Sequence, residues 1–307
     1  MADLPTHRLG STGLTVTALG YGAMELRGAP RGREITPEQA KTVLNAVLDA
    51  GINYIDTSID YGSSEEFIGE FISNRRSQYY LAGKCGCAAG APPGAGRGDY
   101  PHVFTRENVI AGVEQSLRRM KTDYIDVMQF HASPSKRTLE ENGALEALQE
   151  LRRQGKVRFL GVSGTRPNLS EQIGMGVFDV FQVPYSAVER DHEEVLFAAD
   201  KTGAGVVVRG GVAKGAPSGQ TRRQDQWERW KRAGLEDLLE DATPMEFILR
   251  FTLSHPALDT TIVGTMNPEH LRANAAAATK GPLAHDVYQE AKRRLDTAGI
   301  TPLEPVT

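Results

Sequence analysis

Short apolar runs alternate with helix-like segments along nearly the whole chain of 307 residues. Several of these runs are apolar without interruption, which is typical of parallel strands that are buried on both faces. Eight strand–helix units without a change in composition predict a (β/α)8 or TIM barrel, as one domain over residues 1–307. The predicted strands are Val16–Tyr21, Tyr54–Thr57, Tyr80–Lys84, Ile125–Phe130, Val157–Val162, Val180–Val183, Val206–Arg209 and Thr260–Val263.

Several predicted helices begin with a capping signal. At residues 36–39 (Thr-Pro-Glu-Gln) a threonine N-cap precedes proline, and an amide side chain stands at the third helical position. Residues 243–246 (Thr-Pro-Met-Glu) repeat the arrangement with an acid in place of the amide. Asn267 before Pro268 opens a further helix in the same way.

Other segments lie outside this repeat. Residues 7–10 and 14–16 flank Ser-Thr-Gly at 11–13, which predicts a β-hairpin before the first barrel strand. We expect two insertions over the strand ends and one added C-terminal helix. These are a Gly-, Ala- and Pro-rich loop at Ala88–Pro101, a polar segment at Lys214–Ala233 and a helical pattern at Pro282–Ala298.

Titratable residues stand at the ends of three successive predicted strands. Asp56 and Tyr61 lie on the turn after one strand, Lys84 ends the next, and His131 follows the one after that. The carboxyl ends of barrel strands open on one face, so these side chains should converge. A phenol is a weak acid at neutral pH, and a nearby ammonium lowers its pKa. The set is therefore suited to proton transfer, with Tyr61 as the acid, Lys84 as the tuning cation, Asp56 as its orienter and His131 as a hydrogen-bond donor.

Asp, Tyr, Lys and His in this order resemble the catalytic tetrad of the aldo-keto reductases. The resemblance covers roughly residues 9–278 and implies a barrel plugged at its bottom by the hairpin. It also implies a nicotinamide dinucleotide extended across the barrel mouth without a Rossmann loop, and no Gly-x-Gly-x-x-Gly motif follows an early strand. Further motifs that carry the resemblance are Asp-Thr-x-x-x-Tyr-Gly at 56–62, Gly-Val-Ser-Gly at 161–164 and Gln-Val-Pro-Tyr at 182–185.

The resemblance assigns cofactor-binding positions along the mouth. Ser163 and Gln182 would hold the nicotinamide carboxamide, and Asp56 would contact the nicotinamide ribose together with the backbone of Gly22 and Met24. Residues 210–214, which include Gly210, Gly211 and Lys214, would lie along the pyrophosphate. The adenosine phosphate end would be surrounded by Gly264, Thr265, His270 and Asn274.

The sequence departs from the family pattern at four positions. Gly164 replaces the asparagine beside Ser163, and Arg209 stands where an aromatic side chain usually stacks on the nicotinamide. Met266 stands where a cation often reaches the 2′-phosphate, and Ala273 replaces an acidic residue. These departures leave NADPH as the expected cofactor and NADH as the alternative.

The combined features predict a cytoplasmic NADPH-dependent reductase of small carbonyl substrates. Two alternatives use the same residues: NAD-linked oxidation of a sugar or alcohol, and a nicotinamide-sensing regulatory subunit with little turnover. The intact tetrad and the lack of a long N-terminal extension weigh against the regulatory subunit. An unrelated barrel isomerase or lyase would need a phosphate or metal site that the sequence does not show.

Composition excludes several other classes. A net charge of −4 gives no basic face for nucleic acid and no polybasic membrane anchor. We expect no signal peptide and no membrane span, because neither a basic N-terminal segment nor an apolar stretch of about 18 residues is present. Cys85 and Cys87 are poorly spaced for zinc and have no histidine cluster beside them, so we predict free thiols in a reducing cytoplasm and no metal site.

Two further groups of residues are not assigned to the chemistry. Trp227 and Trp230 are three residues apart, which favours a packed helix face, although substrate contact stays open. Ser170, Gln172 and the pair Arg118-Arg119 are predicted to lie on solvated helix faces.

Overall fold

The computed structural model describes residues 3–90, 101–213 and 224–304. In these ranges β1 (Thr6–Arg8) and β2 (Thr15–Thr17) form an antiparallel hairpin, and eight further strands close into a parallel barrel. Around the barrel the strands follow chain order, and the last one pairs with the first. The predicted (β/α)8 barrel is thereby confirmed. The barrel strands are β3 (Leu19–Gly22), β4 (Tyr54–Asp56), β5 (Tyr80–Cys85), β6 (Ile125–His131), β7 (Val157–Ser163), β8 (Val180–Pro184), β9 (Gly205–Arg209) and β10 (Thr260–Val263).

Helices connect the strands, and the three with a predicted cap begin at it, after Thr36, Thr243 and Asn267. The Thr36 hydroxyl accepts a hydrogen bond from the Gln39 N–H, and the Gln39 side chain accepts one from the Thr36 N–H. Within the described ranges, no helix is long and apolar enough to cross a membrane. The helices are α1 (Pro37–Asp49), α2 (Ser64–Phe71), α3 (Arg106–Met120), α4 (Lys136–Glu141), α5 (Ala144–Arg153), α6 (Asn168–Gly174), α7 (Glu193–Asp200), α8 (Gln224–Arg232), α9 (Pro244–Leu253), α10 (Pro268–Thr279) and α11 (His285–Thr297).

The first predicted strand, Val16–Tyr21, is wrong in its extent because the chain changes partners at Ala18. The Ala18 N–H donates to the Pro5 carbonyl at 2.8 Å, on the hairpin side. Its carbonyl accepts from the Thr261 N–H at 2.9 Å, on the barrel side. Residues before Ala18 therefore belong to the hairpin, and the barrel strand begins after it.

The hairpin closes the amino-terminal end of the barrel, as the resemblance implies. Leu9, Leu14 and Val16 are almost fully buried against the side chains that fill the barrel interior. Burial of each such side chain stabilises the fold by about 1.5–3 kcal/mol. Gly10 has φ +49°, and a Cβ there would lie 2.4 Å from the Gly205 nitrogen, so only glycine fits this contact.

The two tryptophans of α8 pack into the core. Trp230 is 1% exposed, and its ring centre lies 5.6 Å from that of Phe247 on α9. Trp227 is 9% exposed and lies 5.6 Å from Trp230. The structure thus supports the packed helix face. The remainder of the two predicted insertions, residues 91–100 and 214–223, lies outside the described residues.

Candidate active site

The barrel interior changes from apolar to polar in one step toward the carboxyl ends of the strands. Because side chains alternate along a strand, residues two apart face the same side. The inner apolar layer contains Tyr54, Ala82, Val127 and Val180. Two residues later on the same strands lie Asp56, Lys84, Gln129 and Gln182, which we call the polar layer. Its members are at most 2% exposed, although each is polar or charged.

Asp56 is the centre of the polar layer. Its Oδ1 accepts a hydrogen bond from Lys84 Nζ at 2.5 Å. Its Oδ2 accepts from Gln129 Nε2 at 3.0 Å and from Gln182 Nε2 at 2.7 Å. The Gln182 Oε1 in turn accepts from the Ser163 hydroxyl at 2.7 Å. Four strands are thus joined through one buried carboxylate, which fixes its position.

The Lys84 ammonium is held charged inside the barrel. Burial disfavours the charge, but the Asp56 carboxylate and the Tyr61 phenol outweigh it and keep the pKa of Lys84 above its usual 10.5. Its Nζ also donates to the Thr57 carbonyl at 2.9 Å. The same atom lies 4.9 Å from the centre of the Tyr61 ring.

Tyr61 is placed over Lys84 by the turn that follows β4. The Tyr61 N–H donates to the Ser58 carbonyl at 3.0 Å. Gly62 has φ +48°, and a Cβ there would lie 2.0 Å from the Arg27 carbonyl oxygen, so the turn requires glycine. Burial raises the pKa of Tyr61 above its usual 10.0, and the charge of Lys84 opposes this rise. The predicted lowering by Lys84 is present, but burial outweighs it.

His131 is the last residue of β6 and lies at the same end of the barrel as Tyr61. Its ring centre lies 6.3 Å from that of Tyr61, in an edge-on arrangement. Its Nδ1 lies 3.2 Å from Cys87 Sγ and 3.8 Å from Asp60 Oδ1. Burial lowers the pKa of His131 to about 3, although the Asp60 carboxylate acts in the opposite direction. The imidazole is therefore neutral at pH 7 and can donate one hydrogen bond.

The loop after His131 is held by Gln172, which was predicted to be solvated. That prediction is wrong, because the Gln172 side chain is 0% exposed. Its Nε2 donates to the Pro134 carbonyl at 2.5 Å, and its Oε1 accepts from the Ser133 hydroxyl at 3.2 Å. The short helix α6 packs against this loop, so its inner face is buried. Arg119, also predicted to be solvated, is only partly exposed and contacts Glu65 at 3.5 Å.

Ser133 also accounts for a departure from the family pattern. A Cβ on Gly164 would lie 2.7 Å from the Ser133 hydroxyl oxygen. The expected asparagine therefore has no room beside Ser163 in this chain, unless the loop after β6 moves.

The positions predicted to contact the nicotinamide lie around the mouth of the barrel. Gly22 pairs with Asp56 across β3 and β4, and Met24 follows as an exposed residue in a 3-10 helix, Ala23–Arg27. Arg209 ends β9 two residues after the inward-facing Val207, and its side chain is half-buried. Arg209 thus lies on the rim of the barrel mouth.

The turn after β9 is the predicted pyrophosphate segment. Gly210 has φ +76°, and the Ala213 N–H donates to its carbonyl at 2.8 Å. A Cβ on Gly211 would lie 2.2 Å from the Thr261 hydroxyl oxygen, so this turn lies directly against β10. Lys214 lies outside the described residues.

The predicted adenosine phosphate positions surround the start of α10. Thr265 is 8% exposed, and its hydroxyl accepts from the Asn267 N–H at 3.0 Å. Gly264 and His270 are exposed, whereas Asn274 is half-buried. Helix N-termini attract anions through their free N–H groups. The segment therefore offers backbone and hydroxyl groups, with Met266 partly exposed among them.

One residue of the site and one neighbour of it were missed in the sequence. Gln129 precedes Phe130 within an apolar strand, and only the alternation from Val127 shows that it faces the barrel interior. His102 is not part of the group described above but lies beside His131, and it was missed because only its bridge to Cys87, between a strand end and a loop, brings it there. Contrary to expectation, Cys87 therefore has histidines beside it.

Comparison with known proteins gives consistent matches over most of the chain. The sequence model of the Aldo/keto reductase family matches residues 18–295. The uncharacterized oxidoreductase YqkF of Bacillus subtilis (strain 168) is 30% identical over 297 residues, which cover 91% of this chain and 93% of that protein. The NADH-specific methylglyoxal reductase of Escherichia coli (strain K12) is 26% identical over 304 residues, covering 88% and 92%.

A solved structure agrees with these sequence matches. The holo form of the aldo-keto reductase AKR11C1 from Bacillus halodurans has a TM-score of 0.82 and is 28% identical. The match covers 95% of this chain and 96% of that one. The range matched by the family model, residues 18–295, includes both the polar layer and the start of α10.

Proposed function

The chain belongs to the aldo/keto reductase family, and on this premise we propose that it reduces an aldehyde or ketone to an alcohol with NADPH, using Tyr61 as the general acid. The observation that carries the proposal is one buried group of three side chains. Lys84 Nζ lies 2.5 Å from Asp56 Oδ1 and 4.9 Å from the centre of the Tyr61 ring. A buried ammonium beside a phenol at a barrel mouth is suited to proton transfer.

Each member of this group has a distinct part in the reaction. Reduction of a carbonyl places charge on its oxygen, which must receive a proton. Tyr61 holds that proton at neutral pH, because a phenol ordinarily titrates near 10 and burial raises the pKa of Tyr61 further. Lys84 stays charged and stabilises the phenolate that forms when Tyr61 releases the proton. Asp56 holds Lys84 in place and is itself fixed by Gln129 and Gln182.

His131 acts beside Tyr61 as a neutral hydrogen-bond donor. Its lowered pKa keeps the imidazole uncharged, so it does not compete with Lys84 as a cation. A neutral imidazole can donate to the carbonyl oxygen and so orient the substrate toward Tyr61. The substrate oxygen would then lie between the two rings.

The mouth of the barrel fits a nicotinamide dinucleotide. Gly22 and Gly264 bring no side chain to it, and Gly22 is the strand neighbour of Asp56. A Cβ on Gly264 would lie 2.6 Å from the Gly22 carbonyl oxygen, so the backbones of β3 and β10 approach closely here. We propose that the nicotinamide ring lies here, beside the polar layer. The bound cofactor would supply the hydride.

Side chains around this space would hold the two ends of the cofactor. Ser163 and Gln182 have amide-binding groups at the proposed carboxamide position, and Arg209 has a planar guanidinium at the rim. Thr265, His270 and Asn274 would hold the adenosine phosphate at the start of α10. We propose a modest preference for NADPH, because Thr265 and the helix N-terminus favour a 2′-phosphate while Met266 adds no charge.

Met266 favours a second candidate function. Without a cation at this position, the chain could use NAD(H) and oxidise a sugar or alcohol with the same residues. The relative from E. coli is named as NADH-specific, so members of the family do not all use NADPH.

Cofactor titration followed by a substrate assay tests the proposal. Binding of NADPH and NADH can be followed through the fluorescence of the protein, and small aldehydes, sugars and pyridoxal can then be assayed with the better cofactor. We expect tighter binding of NADPH and reduction of at least one aldehyde class. Tighter binding of NADH, with oxidation of sugars but no aldehyde reduction, would contradict the proposal and favour the second candidate.

A further inference from the structure

One thiol and two imidazoles converge at the mouth of the barrel. Cys87, His102 and His131 place one sulfur and two ring nitrogens within 4.8 Å of one another. Cys87 Sγ lies 3.2 Å from His131 Nδ1, and the ring centres of His102 and His131 are 5.2 Å apart. None of the roles proposed above requires Cys87 or His102. Their convergence therefore needs a separate explanation.

The backbone holds Cys87 and His102 opposite each other. The two residues form an antiparallel bridge just after β5. The Val103 N–H donates to the Gly86 carbonyl at 2.6 Å, which extends the pairing by one step. The Asn108 Nδ2 donates to the carbonyls of Cys87 at 3.0 Å and of Val103 at 2.7 Å. The hydrogen bonds of the backbone thus fix the positions from which the two side chains extend.

The ligand atoms match the coordination chemistry of zinc. Zinc binds cysteine sulfur at about 2.3 Å and histidine nitrogen at about 2.0–2.1 Å with tetrahedral angles, so sulfur and nitrogen ligands are about 3.6 Å apart. The observed 3.2 Å between Cys87 and His131 requires only a small adjustment. Thiolate and imidazole ligands select zinc over magnesium and calcium.

We propose that Cys87, His102 and His131 form a Zn²⁺ site with a fourth position open to water. Cys87 is 1% exposed, whereas His102 is exposed and gives the ion a path from solvent. Binding displaces the Cys87 thiol proton to solvent, so the thiolate is the ligand. The ion lies next to the proposed reaction site because His131 belongs to both.

One consequence rests on the proposed function. Because the ion and the water at its open position lie next to the proposed reaction site, occupancy of the site should obstruct the substrate and inhibit carbonyl reduction. His102 has no part in the proposed reaction. Its substitution should therefore remove zinc inhibition without changing turnover in the absence of the metal.

Direct binding measurements test the site independently of activity. Zn²⁺ would be titrated into the purified protein by calorimetry, and Co²⁺ would be added in parallel because thiolate ligation gives it a charge-transfer absorption. We expect one ion per chain and a thiolate band with Co²⁺. His102→Ala and Cys87→Ser should each weaken Zn²⁺ binding by at least about tenfold, since even outer partners of a metal ligand contribute that much.

Cys85→Ala is the matched control, because it removes the neighbouring buried thiol, which is not part of the cluster. It should bind Zn²⁺ like the wild type. Unchanged Zn²⁺ affinity in both His102→Ala and Cys87→Ser would overturn the site. His102→Ala alone is sufficient for the test if Cys87→Ser does not fold, since His102 is exposed.

An activity assay separates this inference from the proposed function. Zn²⁺ should inhibit the wild type, and His102→Ala should resist inhibition. Zinc binding that depends on these ligands but leaves turnover unchanged would support the site and contradict the proposed inhibition. Normal zinc binding by a protein that reduces no carbonyl would support the site and contradict the proposed function.

Discussion

The two ends of the proposed cofactor-binding region are built in different ways. At the nicotinamide end, the members of the polar layer are buried and linked to one another through Asp56. At the adenosine end, Gly264 and His270 are exposed, and Met266 is partly exposed. A substitution at the nicotinamide end should therefore disturb the neighbouring residues of the polar layer as well. A substitution at the adenosine end should affect only the contact that the substituted residue makes.

Burial accounts for this difference in physical terms. Lys84 and Asp56 are 1% and 2% exposed, so each depends on the other for compensation of its charge. Removing one partner of a buried pair typically costs about 3–5 kcal/mol, because the other charge stays buried without a partner. Substitutions at exposed positions usually change stability by less than about 0.5 kcal/mol. Substitutions in the polar layer should thus lower both turnover and stability, whereas substitutions that change cofactor preference should have little effect on stability.

Substitution of Lys84 should produce the largest combined effect. In Lys84→Met the free energy of unfolding should fall by about 3–5 kcal/mol because Asp56 loses its partner, and carbonyl reduction should be almost abolished. Urea denaturation and steady-state kinetics measure the two effects. Lys280→Met, at an exposed lysine paired with Glu246, is the control and should change little. A stable Lys84→Met protein with wild-type turnover would show that Lys84 is only a structural strand end.

Gln129→Leu should have a smaller effect, on stability and on turnover but not on cofactor binding. It removes one hydrogen bond to a carboxylate, worth about 1.5–3 kcal/mol, while Lys84 and Gln182 still hold Asp56. We expect kcat to fall about tenfold with little change in cofactor Kd. Gln182→Leu is the comparison, because Gln182 is also proposed to hold the carboxamide, and it should weaken cofactor binding as well. Equal effects of the two variants on Kd would contradict this division of roles.

Met266→Arg should change the adenosine end alone. A charged donor near the 2′-phosphate is worth about 1–3 kcal/mol, so NADPH should bind about tenfold more tightly. NADH binding and unfolding should be almost unaffected. Ala276→Arg, at an exposed position further along α10, controls for the added charge. Equal gains for NADPH and NADH would show that Met266 does not lie near the 2′-phosphate.

The smallest effect is expected on the pH dependence of turnover. The pKa values of Tyr61 and Lys84 are raised above their usual 10.0 and 10.5, so the phenol stays protonated and the ammonium charged at lower pH. A required acid with a raised pKa acts fully below that pKa and is lost only as the pH rises through it. We expect kcat to stay level between pH about 6 and about 9 and to fall above that range. A decline centred within this interval would contradict the assignment.

Much of the nicotinamide end could be predicted from the sequence because strand periodicity determines it. Asp56, Lys84 and His131 end apolar strands, and barrel closure brings strand ends together. The same periodicity would have found Gln129, two residues after Val127 and two before His131. Gln129 was missed because one polar residue inside an apolar strand does not by itself indicate a functional position.

Features that depend on loop geometry could not be predicted. His102 reaches Cys87 through a bridge between a strand end and a distant loop. Gln172 is buried because a short helix packs against the loop after β6, which no helical pattern indicates. The first barrel strand was misjudged because Ala18 changes hydrogen-bond partners within one apolar run. In each case tertiary contacts, rather than local preference, determine the outcome.

The central claim is that the phenol of Tyr61 donates the proton in carbonyl reduction, and Tyr61→Phe tests it most directly. The variant keeps the ring over Lys84 and removes only the hydroxyl. Measured on the same preparation, kcat should fall by about 10²–10⁴, the usual contribution of a general acid, while the Kd for NADPH stays nearly the same. Wild-type turnover in Tyr61→Phe would contradict the account.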